Sequence, residues 1–167
     1  MLTMLLQSNV IWDELTSGMP NTGNLIRVLL RLAVASLLGA LIGVQRQRAG
    51  KPAGLRTHML VTLGTTVFIL SGLSATIGAD GVSRVIQGVA TGIGFIGAGS
   101  ILKLSEERNV QGLTTAASVW ASAAVGVAAG VGSIGIALLS TLFTLGVLSF
   151  AKRFEHSGGA KPPTKGE

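Results

Sequence analysis

Arg84-Val-Ile-Gln-Gly-Val-Ala-Thr-Gly-Ile-Gly-Phe-Ile-Gly-Ala-Gly-Ser-Ile-Leu102 decides how this chain is read. The stretch is apolar enough for a membrane, yet five of its residues are glycine. Glycine forms helices poorly in water, because it surrenders the most backbone freedom. In lipid, the need to satisfy the backbone internally enforces a helix. At 100° per residue, Gly88, Gly92 and Gly99 fall within about 40° of one another. Gly94 and Gly97 fall on nearly the opposite side. A helix smooth on two sides fits between two neighbours at close range. The rest of the chain is therefore expected to pack around this helix. Two readings of the glycines stand side by side: packing alone, or bare backbone lining a path or a site.

The surrounding composition agrees with a membrane protein. Of 167 residues, 48% are apolar and only 12% charged, and the mean hydropathy is +0.62. A soluble domain carries about twice that charge. Cysteine is absent, which excludes disulfides and cysteine metal sites. The net charge of +6 suits basic loops that meet anionic lipid, and nucleic-acid binding is not expected.

The pattern predicts an all-α, polytopic protein with five transmembrane helices. Residues 1–23 form an N-terminal segment in which Leu2, Leu5, Leu6 and Trp12 mark one face of a short surface helix. The transmembrane domain covers residues 24–151. Its spans are expected at about 25–43, 56–77, 83–102, 113–131 and 134–150. Nineteen residues at about 1.5 Å each are enough for a hydrocarbon layer of about 30 Å. Residues 152–167 form a disordered basic tail. Five spans place the termini on opposite sides. The loops after spans one and three, the membrane edge at Arg56 and the tail together carry ten Lys and Arg, against Arg84 alone on the other side. The positive-inside bias puts the N-terminus outside and the C-terminus in the cytoplasm.

An internal echo runs through this layout. Gly54-Leu-Arg-Thr57 opens span two, and Gly112-Leu-Thr-Thr115 opens span four, 58 residues later. The same offset carries span one onto span three, and Gly39 onto Gly97. A parallel repeat of two helical hairpins would produce it, and so would the general likeness of apolar helices.

Three blocks then resemble a family: Leu38-Gly-Ala-Leu-Ile-Gly-Val-Gln-Arg-Gln-Arg-Ala-Gly-Lys-Pro-Ala-Gly-Leu-Arg-Thr-His58, Gly92-Ile-Gly-Phe-Ile-Gly-Ala-Gly99 and Val110-Gln-Gly-Leu-Thr-Thr-Ala-Ala117. In order and spacing they resemble the MgtC/SapB family of bacterial inner-membrane proteins, over about residues 25–150. The chain looks like a short member without the soluble C-terminal domain of longer ones. Gln45 and Gln47 stand where the family usually carries acids. The resemblance implies a multi-pass plasma-membrane protein of adaptation to magnesium limitation and energy homeostasis. In pathogens it implies a part in virulence. It also implies regulation of other membrane proteins, with the F-type ATP synthase among the candidate partners. The alternative is a transporter or channel for an ion or small solute.

The residues themselves show no catalytic constellation, so no enzyme is expected. No cofactor or metal site is expected either. His58 and His156 lie far from any nucleophile arrangement, and no metal-ligand spacing appears. Magnesium prefers oxygen ligands, usually including carboxylates. Glu106 and Glu107 read as solvated loop residues. Three groups carry the functional reading. Arg27, Arg31, Asp80 and Arg84 form an outer charge cluster, in which Arg31 is expected to face inward and pair with Asp80. The cluster's surplus positive charge suits a lipid phosphate. Gly88, Gly92, Gly94, Gly97 and Gly99 form the packing stripe, which favours a homo-oligomer. Arg46, Lys51, Arg56, Thr57, His58, Gly112, Thr114 and Thr115 belong to the cytoplasmic motif loops, as caps and turns or as a docking surface.

Overall fold

The structure is a computed structural model that describes residues 10–14, 16, 20–75, 78–103 and 110–155. Of the expected disordered tail, residues 152–155 are instead helical, and residues 156–167 lie outside the described residues, as do the loop acids Glu106 and Glu107 and Leu2, Leu5 and Leu6. Residues 10–14 are helical, and Trp12 is exposed.

Five longer helices follow among the described residues: α1 (Thr22–Arg48), α2 (Leu55–Ser74), α3 (Gly78–Gly99), α4 (Leu113–Val131) and α5 (Ile134–Glu155). Two-residue strands, β1 (Leu102–Lys103) and β2 (Val110–Gln111), pair antiparallel between α3 and α4. Among the described residues, the regular structure is all helical apart from that ladder. Three helices, α1, α2 and α4, are long and apolar enough to cross a membrane.

Local chemistry sets the ends. Asn21 caps α1, its side chain accepting from the Asn24 amide at 3.0 Å. With that start, and no breaker before Gly50, α1 runs past the expected end at residue 43 and takes Arg46 and Arg48 into its last turn. Basic residues suit the negative end of a helix. α3 begins five residues earlier than expected. Gly78 adopts φ +69°, and Asp80 enters the first turn, where an acid complements the helix dipole. α4 matches its expected bounds. Gly112 opens it at φ +94° and Gly132 closes it at φ +97°. The amides of Gly132 and Ser133 then return to Ala129 and Ala128 in a Schellman pattern. α5 continues to Glu155, beyond the expected end at 150, because Gly158-Gly159 is the next breaker in the sequence.

The centre of the bundle is α4, not the glycine helix. α4 packs against all four other helices. Small residues let it do so. A Cβ on Gly126 would stand 2.6 Å from the Thr62 carbonyl oxygen, and one on Gly130 would stand 2.7 Å from Ile69 Cβ. α1 meets α2 as closely: a Cβ on Gly43 would stand 2.6 Å from Leu55 Cα. These are the near-backbone approaches that small residues permit in lipid, where packing rather than hydrophobic burial holds helices together. α3 sits at the edge. A Cβ on Gly88, Gly92, Gly94 or Gly99 meets nothing within 4 Å. Only Gly97 of that stripe packs, with Ala116 at 3.6 Å. The expectation that the chain is organised around α3 is thus corrected. Glycine permits closeness, but the partner surface decides where closeness occurs.

Candidate functional site

A polar seam runs through the interior between α1, α2 and α4. On α4, Thr115, Ser118 and Ser122 recur at one helical face and are all buried. On α2, His58, Thr62, Thr65 and Thr66 do the same. α1 contributes Arg46.

The hydrogen bonds are specific. Arg46 Nη2 donates to Thr115 Oγ1 at 2.7 Å. Ser118 Oγ donates to the Thr115 carbonyl at 2.8 Å, and Ser122 Oγ donates to the Ser118 carbonyl at 3.0 Å. His58 Nδ1 lies 2.8 Å from Ser122 Oγ. Ser122 has one hydroxyl proton, and the imidazole tautomer decides whether it serves the Ser118 carbonyl or His58 Nδ1. Thr66 Oγ1 donates across to the Gly126 carbonyl at 2.9 Å. Thr62 returns its proton to its own helix, at the His58 and Met59 carbonyls.

Two members of the seam are unusual. Arg46 is 3% exposed and His58 is fully buried. Among the described residues, no hydrogen-bond partner within the usual geometry reaches Arg46 Nε, His58 Nε2 or Gln45 Oε1. No carboxylate pairs with Arg46 among the described residues. Buried charge without a counter-ion costs several kcal/mol, so a group of this kind marks a candidate functional site.

Around the seam's α4 N-terminal end lies a cavity of about 580 Å³. Lys51, Ser100, Gln111, Gly112, Thr114 and Thr115 belong to its lining. It opens between the turn joining α1 to α2 and the β1–β2 ladder.

The three expected groups fare differently. Of the motif set, Arg46, His58 and Thr115 go into the interior. Lys51 and Thr114 line the cavity, and Gly112 caps α4. Arg56 is exposed and Thr57 half-buried at the start of α2. A docking surface that included His58 is ruled out by its burial. Helix α1 extends far enough to carry Arg46 beside α4, and Ser122 draws His58 inward.

The outer cluster does not assemble as expected. Arg27, Asp80 and Arg84 are exposed. Arg31 is half-buried and donates through Nη1 to the Gly130 carbonyl at 2.8 Å, not to Asp80. The reason is local. The last carbonyls of α4 lack intrahelical partners and carry the negative end of its dipole, so a guanidinium beside them finds an acceptor without a carboxylate.

The seam itself escaped the sequence reading. Its signal was present as hydroxyl residues at helical spacing, at 62, 65 and 66 and again at 115, 118 and 122, within otherwise apolar helices.

The sequence pattern of the MgtC family matches residues 32–157. The chain belongs to the MgtC family. It is 43% identical over 144 residues to the protein SrpB of Synechococcus elongatus, covering 80% of this chain and 79% of SrpB. It is 48% identical over 117 residues to the protein MgtC of Salmonella typhimurium, covering 70% of this chain. It is 40% identical over 127 residues to the Escherichia coli protein named "Putative magnesium transporter YhiD", covering 72% of this chain. The matches span 49% of the Salmonella protein and 58% of the Escherichia coli one. No solved structure matches. Family and helices together make this a membrane protein.

Proposed function

We propose that this MgtC-family chain serves adaptation to magnesium limitation and energy homeostasis in the bacterial inner membrane, by contact with other membrane proteins. In this reading all five helices cross the membrane, with the N-terminus outside and the C-terminus in the cytoplasm. Lipid and further copies of the chain are partners alongside the regulated proteins, of which the F-type ATP synthase is one candidate.

One observation carries the preference for regulation over transport. The polar seam holds a buried guanidinium, Arg46, with neutral hydroxyls and an imidazole around it. Magnesium is a hard cation that sheds water reluctantly and seeks carboxylate oxygen. A fixed positive charge inside a low-dielectric seam repels it. The seam therefore suits a fixed structural or recognition role better than passage of a dication.

The deciding experiment is magnesium flux into liposomes that hold the purified protein alone. No flux above empty liposomes is expected. Robust flux would replace this reading with the transporter or channel reading, which the name of the Escherichia coli relative favours. Orientation has its own test. A reporter active only in the periplasm, fused after Phe154, is expected to be silent, because ten basic residues crowd that side. Activity there overturns the topology.

A further inference from the structure

A groove of about 830 Å³ runs along the outside of the bundle between α1 and α5. Leu37, Ala40, Leu41 and Val44 of α1 make its apolar part with Leu148 of α5. On α1 these residues recur at three- and four-residue steps, so one helical face forms the wall. Ala40 is small and stands between two exposed leucines, which leaves a recess there. Arg48 lies one turn beyond Val44 on the same face and brings a cation to that end of the groove. Gln45 lines the same end.

The helix also gives the groove a depth. α1 has 27 residues, about 40 Å at about 1.5 Å each, which matches a bilayer with its headgroup layers. Arg48 is its last residue and so stands at headgroup level. Leu37 lies eleven residues earlier, about 16 Å deeper, which stays within one leaflet. Apolar wall and terminal cation thus follow, in order, the two parts of an anionic phospholipid. The groove of about 490 Å³ between α2 and α3 is a useful contrast. Phe68, Val89 and Ile93 make it apolar too, but no charged residue lines it among the described residues. It can take hydrocarbon without choosing a headgroup.

We propose that the α1–α5 groove binds one anionic phospholipid, with an acyl chain along Leu37, Leu41 and Val44 and the phosphate on Arg48. A guanidinium is a planar fork that matches phosphate oxygens two at a time. The Gln45 amide adds two neutral donors at the same level. A volume of about 830 Å³ falls in the range of small-molecule sites. Charge complementarity selects this occupant. A zwitterionic headgroup brings its own ammonium, which Arg48 repels, and an apolar helix of another chain brings no anion. The choice of the cytoplasmic leaflet rests on the orientation proposed above. Retention of the lipid does not, so magnesium flux or a reversed orientation would leave the site standing.

The test uses the full chain, delipidated in neutral detergent at low salt. Native mass spectrometry then measures the lipid retained from an equimolar mixture of phosphatidylglycerol and phosphatidylethanolamine. Phosphatidylglycerol is expected to be preferred about tenfold, the worth of a charged hydrogen bond. Arg48→Gln should bring the preference close to even, and Arg48→Lys should keep part of it. Ala40→Phe fills the wall and should lose the retained lipid of either class. Arg48 is exposed, so Arg48→Gln should melt as the wild type does without lipid. Added phosphatidylglycerol should raise the melting temperature of the wild type and not of that variant. Equal retention of the two lipids by the wild type overturns the proposal. So does a preference that Arg48→Gln leaves unchanged, or that Arg56→Gln, at an exposed cation outside the groove, removes equally well. A dimer that Ala40→Phe dissociates, without any lipid preference, also overturns it, because a second copy is then the occupant.

Discussion

The α1–α2 hairpin and the α3–α4 hairpin are related by the same 58-residue offset, but they pack differently. Both second helices open after a glycine, at Gly54 and Gly112, and begin at Leu55 and Leu113. In the first hairpin Gly39 meets residue 58: its Cβ would stand 2.7 Å from the His58 carbonyl oxygen. In the second, Gly97 meets residue 116, the equivalent position, where Ala116 lies 3.6 Å away. The matching pairs support the repeat suggested by sequence. The difference in distance teaches more. The first hairpin closed until backbones touched and went on to bury an arginine and a histidine against α4. The second stopped at ordinary contact and left one helix at the edge.

The largest way to break this asymmetry is to fill a tight glycine. Gly43→Val places a side chain against Leu55, and overpacking of this kind costs about 1–3 kcal/mol or more. A steep loss of folded protein in a detergent melt checks it. Unchanged melting would mean that the α1–α2 approach is not tight.

Next comes the seam. Ser122→Ala removes the hydrogen-bond partner of His58 Nδ1 and leaves that ring nitrogen buried, at about 1–3 kcal/mol. The variant's melting temperature reports it. Arg46→Met sharpens the point in the opposite direction. Replacing an unpaired buried charge by an apolar chain of similar length is expected to be neutral or stabilising by about 1–4 kcal/mol. Growth under magnesium limitation should nevertheless fail. A variant that loses stability instead would make Arg46 a structural strut.

Arg31→Met should cost about 0.3–1 kcal/mol, the worth of a cation at a helix end, while Asp80→Asn should stay within about 0.5 kcal/mol. Equal effects would restore the pairing of Arg31 with Asp80.

The smallest effect on folding should come from the open glycines. A Cβ on Gly92 meets nothing within 4 Å, so Gly92→Leu should melt normally. If α3 serves self-association, the same variant loses the oligomer in crosslinking, and an unchanged oligomer removes α3 from that role.

How much of this was legible follows from range. α4 could be read to the residue, because its two flanking glycines and its apolar run are local. The family could be read from short blocks. The centre could not. Gly88 and Gly126 look alike in sequence, and only the second finds Thr62 opposite. Arg46 and His58 read as interfacial because they stand in a basic stretch. Their partners, Thr115 and Ser122, lie 69 and 64 residues away. Pairing over that distance leaves no local pattern. Arg31 was misread for a different reason: the sequence shows carboxylates, but a helix's bare carbonyls are visible only once the helix ends beside it.

The central place of α4 also imposes a schedule on synthesis. α4 is the fourth of the five long helices to leave the ribosome, yet it holds the hydrogen-bond partner of His58 and the carbonyl for Thr66. At about 5–20 residues per second, 64 residues take about 3–13 s to make. For that interval the first hairpin exists without the helix that completes it. His58 and Arg46 must wait at the membrane's polar edge, or within the insertion machinery, until α4 arrives.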